Sequence, residues 1–225
     1  MIQNNQVLII AAHPDDEALG CAGTIAKHIA EGDIVSILFM TNGVSSRGGF
    51  DKNDEIVRAS AMEKAISTLG VKNSQFFNFP DNQMDSVPLL EIVKAIETAI
   101  IQYKPSIIYT HFAYDLNIDH QLTHQAVMTA CRPVKGCSVK KILSFEILSS
   151  TEWKSTCHPD FKAQYIVDIT KFWNKKLQAL DCYQEELRNF PHSRSLRCIE
   201  ALATLRGASH GFEKAEAFQV ERILN

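Results

Sequence analysis

Residues Ala12, His13, Pro14, Asp15, Asp16 and Glu17 put one imidazole and three carboxylates into a single turn of chain. Histidine nitrogen and carboxylate oxygen are donors that zinc takes in hydrolytic sites, where three protein groups hold the ion and a further position stays open for water. Such a site also needs a base to receive that water's proton. His13 and Asp16 offer two ligands, and Asp15 offers a carboxylate not committed to the ion. The third ligand must come from elsewhere. His120 is the best candidate, because it too follows an apolar run and opens a helical pattern. Asp119 beside it suits an orienting role behind a ligand or the bound water. For either aspartate alone the simpler alternative is a helix cap, since acids suit the first turn of a helix.

The elements that must hold this turn follow from periodicity. Residues 7–10 form a short β-branched run, as expected of a strand buried on both faces, and Pro14 ends it. A helix over about 17–30 follows, with Gly20 and Gly23 permitting close packing on the sheet. Then come a strand over 34–39 and a Gly- and Ser-rich loop in which Arg47, with Gly48 and Gly49, could receive an anionic group. A helix over about 54–69 turns Ile56, Ala59, Met62, Ala65, Ile66 and Leu69 to the core and stops at Gly70. A strand over 75–79, a helix over 87–103, a strand over 106–110 and a helix over 119–131 complete the pattern. Four strand-then-helix units predict an α/β fold with a mostly parallel sheet, right-handed crossovers and helices on both faces. Open sheets of this kind bind ligands at the carboxyl ends of their strands, where residues 12–17 and 111–120 fall.

Past residue 140 the pattern changes. Strands are expected over 142–147, 165–169 and 216–222, with helices over 171–188 and 196–205 and a break at 190–194. The expectation is one domain over 1–225. Residues 1–140 form its core, and 141–225 form a C-terminal extension that packs on the same sheet and rims the site.

Composition narrows the function classes. A formal charge of −3 and a pI near 6.2 argue against a basic nucleic-acid surface. No stretch approaches the ~20 apolar residues of a membrane span, and residues 1–5 lack the basic start of a signal peptide. The six cysteines are scattered without a Cys-x-x-Cys pair, as expected of reduced thiols in a soluble cytoplasmic protein. The residues leave association into a homo-oligomer open.

The sequence resembles the N-acetylglucosaminyl-phosphatidylinositol de-N-acetylase family, also called PIG-L-like or LmbE-like. The resemblance rests on residues 12–17, on Arg58 and Glu63 in the helix ending Leu69-Gly70-Val71, and on Asp81. It continues with Asp119-His120, Arg206-Gly207 and Ala215-Glu216-Ala217-Phe218. It implies a Rossmann-like fold and a Zn2+-dependent deacetylase acting on a small N-acetylated amino sugar. Carried over position by position, His13, Asp16 and His120 are metal ligands and Asp15 is the general base. Arg58 and Asp81 then hold the sugar and its substituents. Asn117 stands where some members carry a histidine near the scissile carbonyl; an amide there can donate a hydrogen bond but cannot deliver a proton.

Other polar residues have plainer expectations. His111 suits a structural or rim role, His124 is four residues from His120 without the intervening glutamate of a zinc helix, and His158-Pro159-Asp160 precedes a strand instead of following one. His192 and Arg194 reach the site only if the C-terminal segment folds back. Glu63 suits an anchoring role, and Glu17 a supporting bond at the helix start. Two other functions compete: an amidohydrolase acting on another small amide, such as an amino-sugar conjugate or antibiotic precursor, and a non-catalytic sugar- or nucleotide-binding module. No Gly-x-Gly-x-x-Gly follows the first strand, and an acidic turn there would repel a pyrophosphate.

Overall fold

The computed structural model describes residues 4–46, 48 and 51–225; Arg47 lies outside the described residues. In chain order the strands are β1 (Gln6–Ala11), β2 (Ile34–Thr41), β3 (Asn73–Phe79), β4 (Ile107–His111), β5 (Lys141–Phe145), β6 (Tyr165–Asp168) and β7 (Ala215–Ile223). The helices are α1 (Asp16–Ala30), α2 (Lys52–Leu69), α3 (Leu89–Tyr103), α4 (Ile118–Ala130), α5 (Trp173–Asp181) and α6 (Leu196–Ala208). One sheet takes all seven strands in the order β3-β2-β1-β4-β5-β7-β6. β1 to β5 pair in parallel, and β7 runs antiparallel between β5 and β6. The fold is α/β with a mostly parallel sheet, and the last 85 residues contribute three of its strands.

β1 runs through the middle, so its side chains alternate between two cores. Val7, Ile9 and Ala11 pack with α1 and α5 residues on one face, while Leu8 and Ile10 pack with α3 and α4 residues on the other. This is why residues 7–10 are apolar without alternation. The chain proceeds from β1 outward through β2 and β3, then returns to place β4 on the opposite side of β1. That reversal opens a crevice beyond the carboxyl ends of β1 and β4, the usual ligand position in such sheets.

Two close approaches seat the flanking elements. A side chain at Gly20 would collide with the Phe145 ring, and a Cβ at Gly207 would stand 2.8 Å from the Phe212 carbonyl oxygen. A buried ion pair fastens β7 to the helices: Lys176 Nζ lies 2.7 Å from Glu216, which also accepts the backbone N–H groups of Gly23 and Thr24. Glu216, matched in the resemblance, is therefore bound up in holding the last strand.

Three expectations need correction. The helix expected over 171–188 ends at Asp181, and a short helical turn at Gln184–Glu186 follows. Ile56 and Ala59, expected in the core, are exposed, Ile56 by 66%, because α2 buries only Arg58, Ala65 and Leu69. Neither Asp15 nor Asp16 caps α1 through its side chain: Asp15 occupies the N-cap position with no such bond.

Candidate metal and catalytic site

The end of β1 and the start of α4 bring three donors together. His13 Nδ1 and Asp16 Oδ2 are 3.3 Å apart, His120 Nε2 lies 3.2 Å from His13 Nδ1, and it lies 3.4 Å from Asp16 Oδ2. Ligands about 2.0–2.2 Å from one tetrahedral ion lie about 3.3–3.6 Å from each other, so this triangle has the size a zinc ion requires. All three residues are buried, and Asp16 Oδ1 has no hydrogen-bond partner. Two imidazole nitrogens and a carboxylate turned on one point fit a cation.

Each imidazole has a carboxylate behind it. His13 Nε2 is 3.0 Å from Asp119 Oδ2, and His120 Nδ1 is 3.3 Å from Asp115 Oδ2. Carboxylates in this position fix the ring and strengthen it as a ligand. Asp119 is itself held by the backbone N–H groups of Asn82 and Met84. Asp115 accepts hydrogen bonds from the Ser150 and Thr151 hydroxyls. Asp115 received no role from the sequence, although it shares the loop that delivers His120.

The neighbouring carboxylates set the charge on both rings. Burial opposes the charge on His13, yet its hydrogen bonds to Asp119 and Asp16 bring the group up to about 10. Burial likewise opposes charge on His120, but Asp16 and Asp115 raise it to about 9. Asp16 is also disfavoured by burial, and His120 nonetheless holds it well below the usual carboxylate range. His111 stacks on His120 at 3.9 Å between ring centroids. Its Nε2 accepts the Ala12 N–H at 2.8 Å, so that lone pair is already committed. His124 bonds the His111 carbonyl oxygen, and His158 stacks on Tyr114. Glu63 is exposed on α2.

Asp15 points to a different set of partners. Its φ of 127° is a conformation that L-residues rarely adopt. Glu17 supports it: the Asp15 N–H donates to Glu17 Oε2 at 3.0 Å, and the Tyr183 hydroxyl donates to Glu17 Oε1 at 2.7 Å. The Asp15 carboxylate lies 3.2 Å from Arg194 Nη1 and 3.6 Å from Arg58 Nη1. Glu186 pairs with both arginines, and Arg58 Nη1 also donates to the Pro14 carbonyl at 2.8 Å. Burial raises the Asp15 carboxyl above its ordinary value, against the pull of Arg194 and Arg58.

His13 and Asp15 line a small cavity of about 150 Å³, together with Asp81, Asn117, Arg58 and Arg194. Asp81 accepts hydrogen bonds from Ser46 at that wall. Asn117 caps α4, its side-chain oxygen accepting the Asp119 N–H at 2.8 Å while Nδ2 donates to Asn82 Oδ1. The C-terminal segment does fold back: Arg194 reaches the cavity, and His192 accepts the Arg194 N–H. Sequence reasoning gave Glu186 and Tyr183 no place here, because both lie inside the pattern read as one helix.

A family model described as GlcNAc-PI de-N-acetylase (PIG-L) matches residues 8–131. The uncharacterized deacetylase YaiS of Escherichia coli is 31% identical over 150 residues, covering 64% of this chain and 75% of that protein. The diacetylchitobiose deacetylase of Thermococcus kodakarensis is 25% identical over 191 residues, 80% of this chain and 70% of that one. The crystal structure of the N,N'-diacetylchitobiose deacetylase from Pyrococcus horikoshii superposes with a TM-score of 0.78 at 21% identity, covering 96% of this chain and 83% of that one. The structural likeness speaks for the fold.

Proposed function

The chain belongs to the GlcNAc-PI de-N-acetylase family, and from that premise we propose that it is a zinc-dependent deacetylase of N-acetylglucosamine-type conjugates, releasing acetate and a free amino sugar. Its relatives are deacetylases, and it is a metal-dependent amidohydrolase. The observation that carries the reading is the donor triangle of His13, Asp16 and His120 with the Asp15 carboxylate in the adjoining residue.

In this reading His13, Asp16 and His120 hold the ion, and Asp119 and Asp115 keep the two rings turned toward it. A bound divalent ion supplies Lewis acidity, which makes a water easier to deprotonate and an amide carbonyl easier to attack. Asp15 accepts the proton of the attacking water and gives it to the departing nitrogen as the carbon–nitrogen bond breaks. Its raised pKa suits a group that must take and then return a proton. Asn117 keeps one amide hydrogen beyond the one given to Asn82, and donates it to the carbonyl oxygen as charge develops there. Arg58 and Asp81 bind the sugar at the cavity wall. Arg194 and Glu186 fix the direction of the Asp15 carboxylate.

Two imidazoles and one carboxylate are a donor set found in catalytic zinc sites, which supports zinc as the working metal. Six cysteines without a disulfide support the cytoplasm as the compartment. Among the described residues no helix is long and apolar enough to cross a membrane. Acetate release from N-acetylglucosamine and its glycosides tests the reading. Acetate should appear with an equal amount of free amine, vanish on chelation and return with added Zn2+. Stoichiometric zinc without acetate from any of these sugars would overturn it.

A further inference from the structure

The catalytic cavity is too small to hold a whole substrate. Pockets for small molecules measure about 300–1,000 Å³, whereas this one is about 150 Å³. A second hollow, of about 600 Å³, adjoins it between α2 and residues 181–186. The two share Arg58 and Glu186, so a single ion pair forms the ridge between them.

The larger hollow has a distinct chemistry. Ile56, Val57 and Ala61 supply apolar surface from α2, opposite Tyr183. Ile56 is 66% exposed and Val57 39%, an apolar pair left open to solvent. Because Arg58 and Glu186 pair with one another, the charges that remain in the lining are Lys64, Asp181 and Glu185, which leave no positive excess. A phosphate or carboxylate would find no unpaired cation pair here; a neutral, apolar group would find a surface to cover.

We propose that this groove is the aglycone subsite. The substrate is an amino-sugar conjugate whose neutral, apolar or aromatic aglycone lies along α2 while its acetamido group enters the smaller cavity across the Arg58–Glu186 ridge. The proposal rests on the deacetylase reading above for the smaller cavity. Occupancy of the groove supplies specificity through apolar contact, for which the loss of a single well-fitted group typically costs about tenfold or more in kcat/KM.

Two measurements test it independently. The first compares kcat/KM for the methyl and phenyl β-glycosides of N-acetylglucosamine. The wild-type enzyme should prefer the phenyl glycoside by about tenfold or more. In Val57→Asp, which sets a charge on the groove floor, and in Ala61→Phe, which fills it, the ratio should fall toward one. A wild-type ratio near one, or a preference that survives both variants, overturns the proposal. The second is calorimetric titration with phenyl β-glucoside, which has no acetamido group and needs no turnover. Saturable binding in the wild type that is lost in Val57→Asp supports the groove even if no sugar is deacetylated, which separates its fate from that of the deacetylase reading. Absence of binding overturns the groove alone. If light scattering instead finds a wild-type dimer that Val57→Asp dissociates, the surface belongs to a second copy of the chain and the proposal fails.

Discussion

Asp15 and Asp16 are neighbours in sequence and are both buried, yet their carboxylates meet different partners. Asp16 turns to imidazoles delivered by β1 and β4, all within the first 120 residues, and its carboxyl is held well below the usual range. Asp15 turns to guanidinium groups from α2 and from the segment after α5, and burial leaves its carboxyl raised. Burial pushes both the same way, so the partners decide the outcome. In the proposed mechanism a single step along a turn thus separates the carboxylate that would hold the ion from the one that would accept a proton, the division of labour that opposed environments produce in pairs of acids.

Substitutions at the two positions should separate those roles. Asp16→Asn removes the only anion from the donor triangle. Metal analysis should find the ion lost, and turnover should fall to background. Asp15→Asn should retain stoichiometric metal while kcat drops by about 10²- to 10⁴-fold, the worth of a positioned acid–base group. If both variants lose metal alike, the distinction collapses.

Arg194→Gln probes the base without touching the donor triangle. Arg194 lowers the Asp15 pKa, so its removal raises that pKa further. Asp15 must be ionised to accept a proton, and the acidic limb of the rate profile should therefore move to higher pH. An unmoved limb would detach Arg194 from the base.

The smallest effect concerns Glu17, whose carboxyl burial raises from 4.5 to about 8. Below pH 4.5 both folded and unfolded chains carry the proton, and its contribution to stability is fully present. As pH rises from 4.5 through about 8 the unfolded chain releases the proton more readily, so that contribution is lost. In metal-free protein, Glu17→Gln should melt at least about 3 °C above wild type at pH 8, with the gain shrinking toward pH 4.5. A constant difference across that range would assign the effect to packing instead.

The two sets of partners also differed in how legible they were. The donor triangle could be read because His13 and Asp16 follow directly on a strand and His120 lies in the first turn of the helix after another, and periodicity identifies all of these elements. The partners of Asp15 lacked a local signal. Arg58 looks like a helix-surface charge until the Pro14 carbonyl, Asp15 and Glu186 surround it. Tyr183 and Glu186 fit the spacing of a longer helix, and only packing shows that α5 stops at Asp181. Ile56 carried the right spacing for the core but sits where α2 leaves it exposed. Asn117 was legible as a donor from its residue type; that its oxygen caps α4 depends on the three-dimensional turn. The central strand was legible from its uniform apolar run, whereas the insertion of β7 between β5 and β6 is a long-range pairing that no local pattern specifies.

The bond from Tyr183 to Glu17 spans 166 residues of chain, and Glu17 in turn accepts the Asp15 N–H. During synthesis the N-terminal part of a chain emerges first. His13, Asp16 and His120 are therefore translated well before Tyr183, Glu186 and Arg194. In the proposed mechanism the nascent polypeptide thus has its metal-holding residues before it has the parts that orient Asp15, and the site is completed only by residues 183–194.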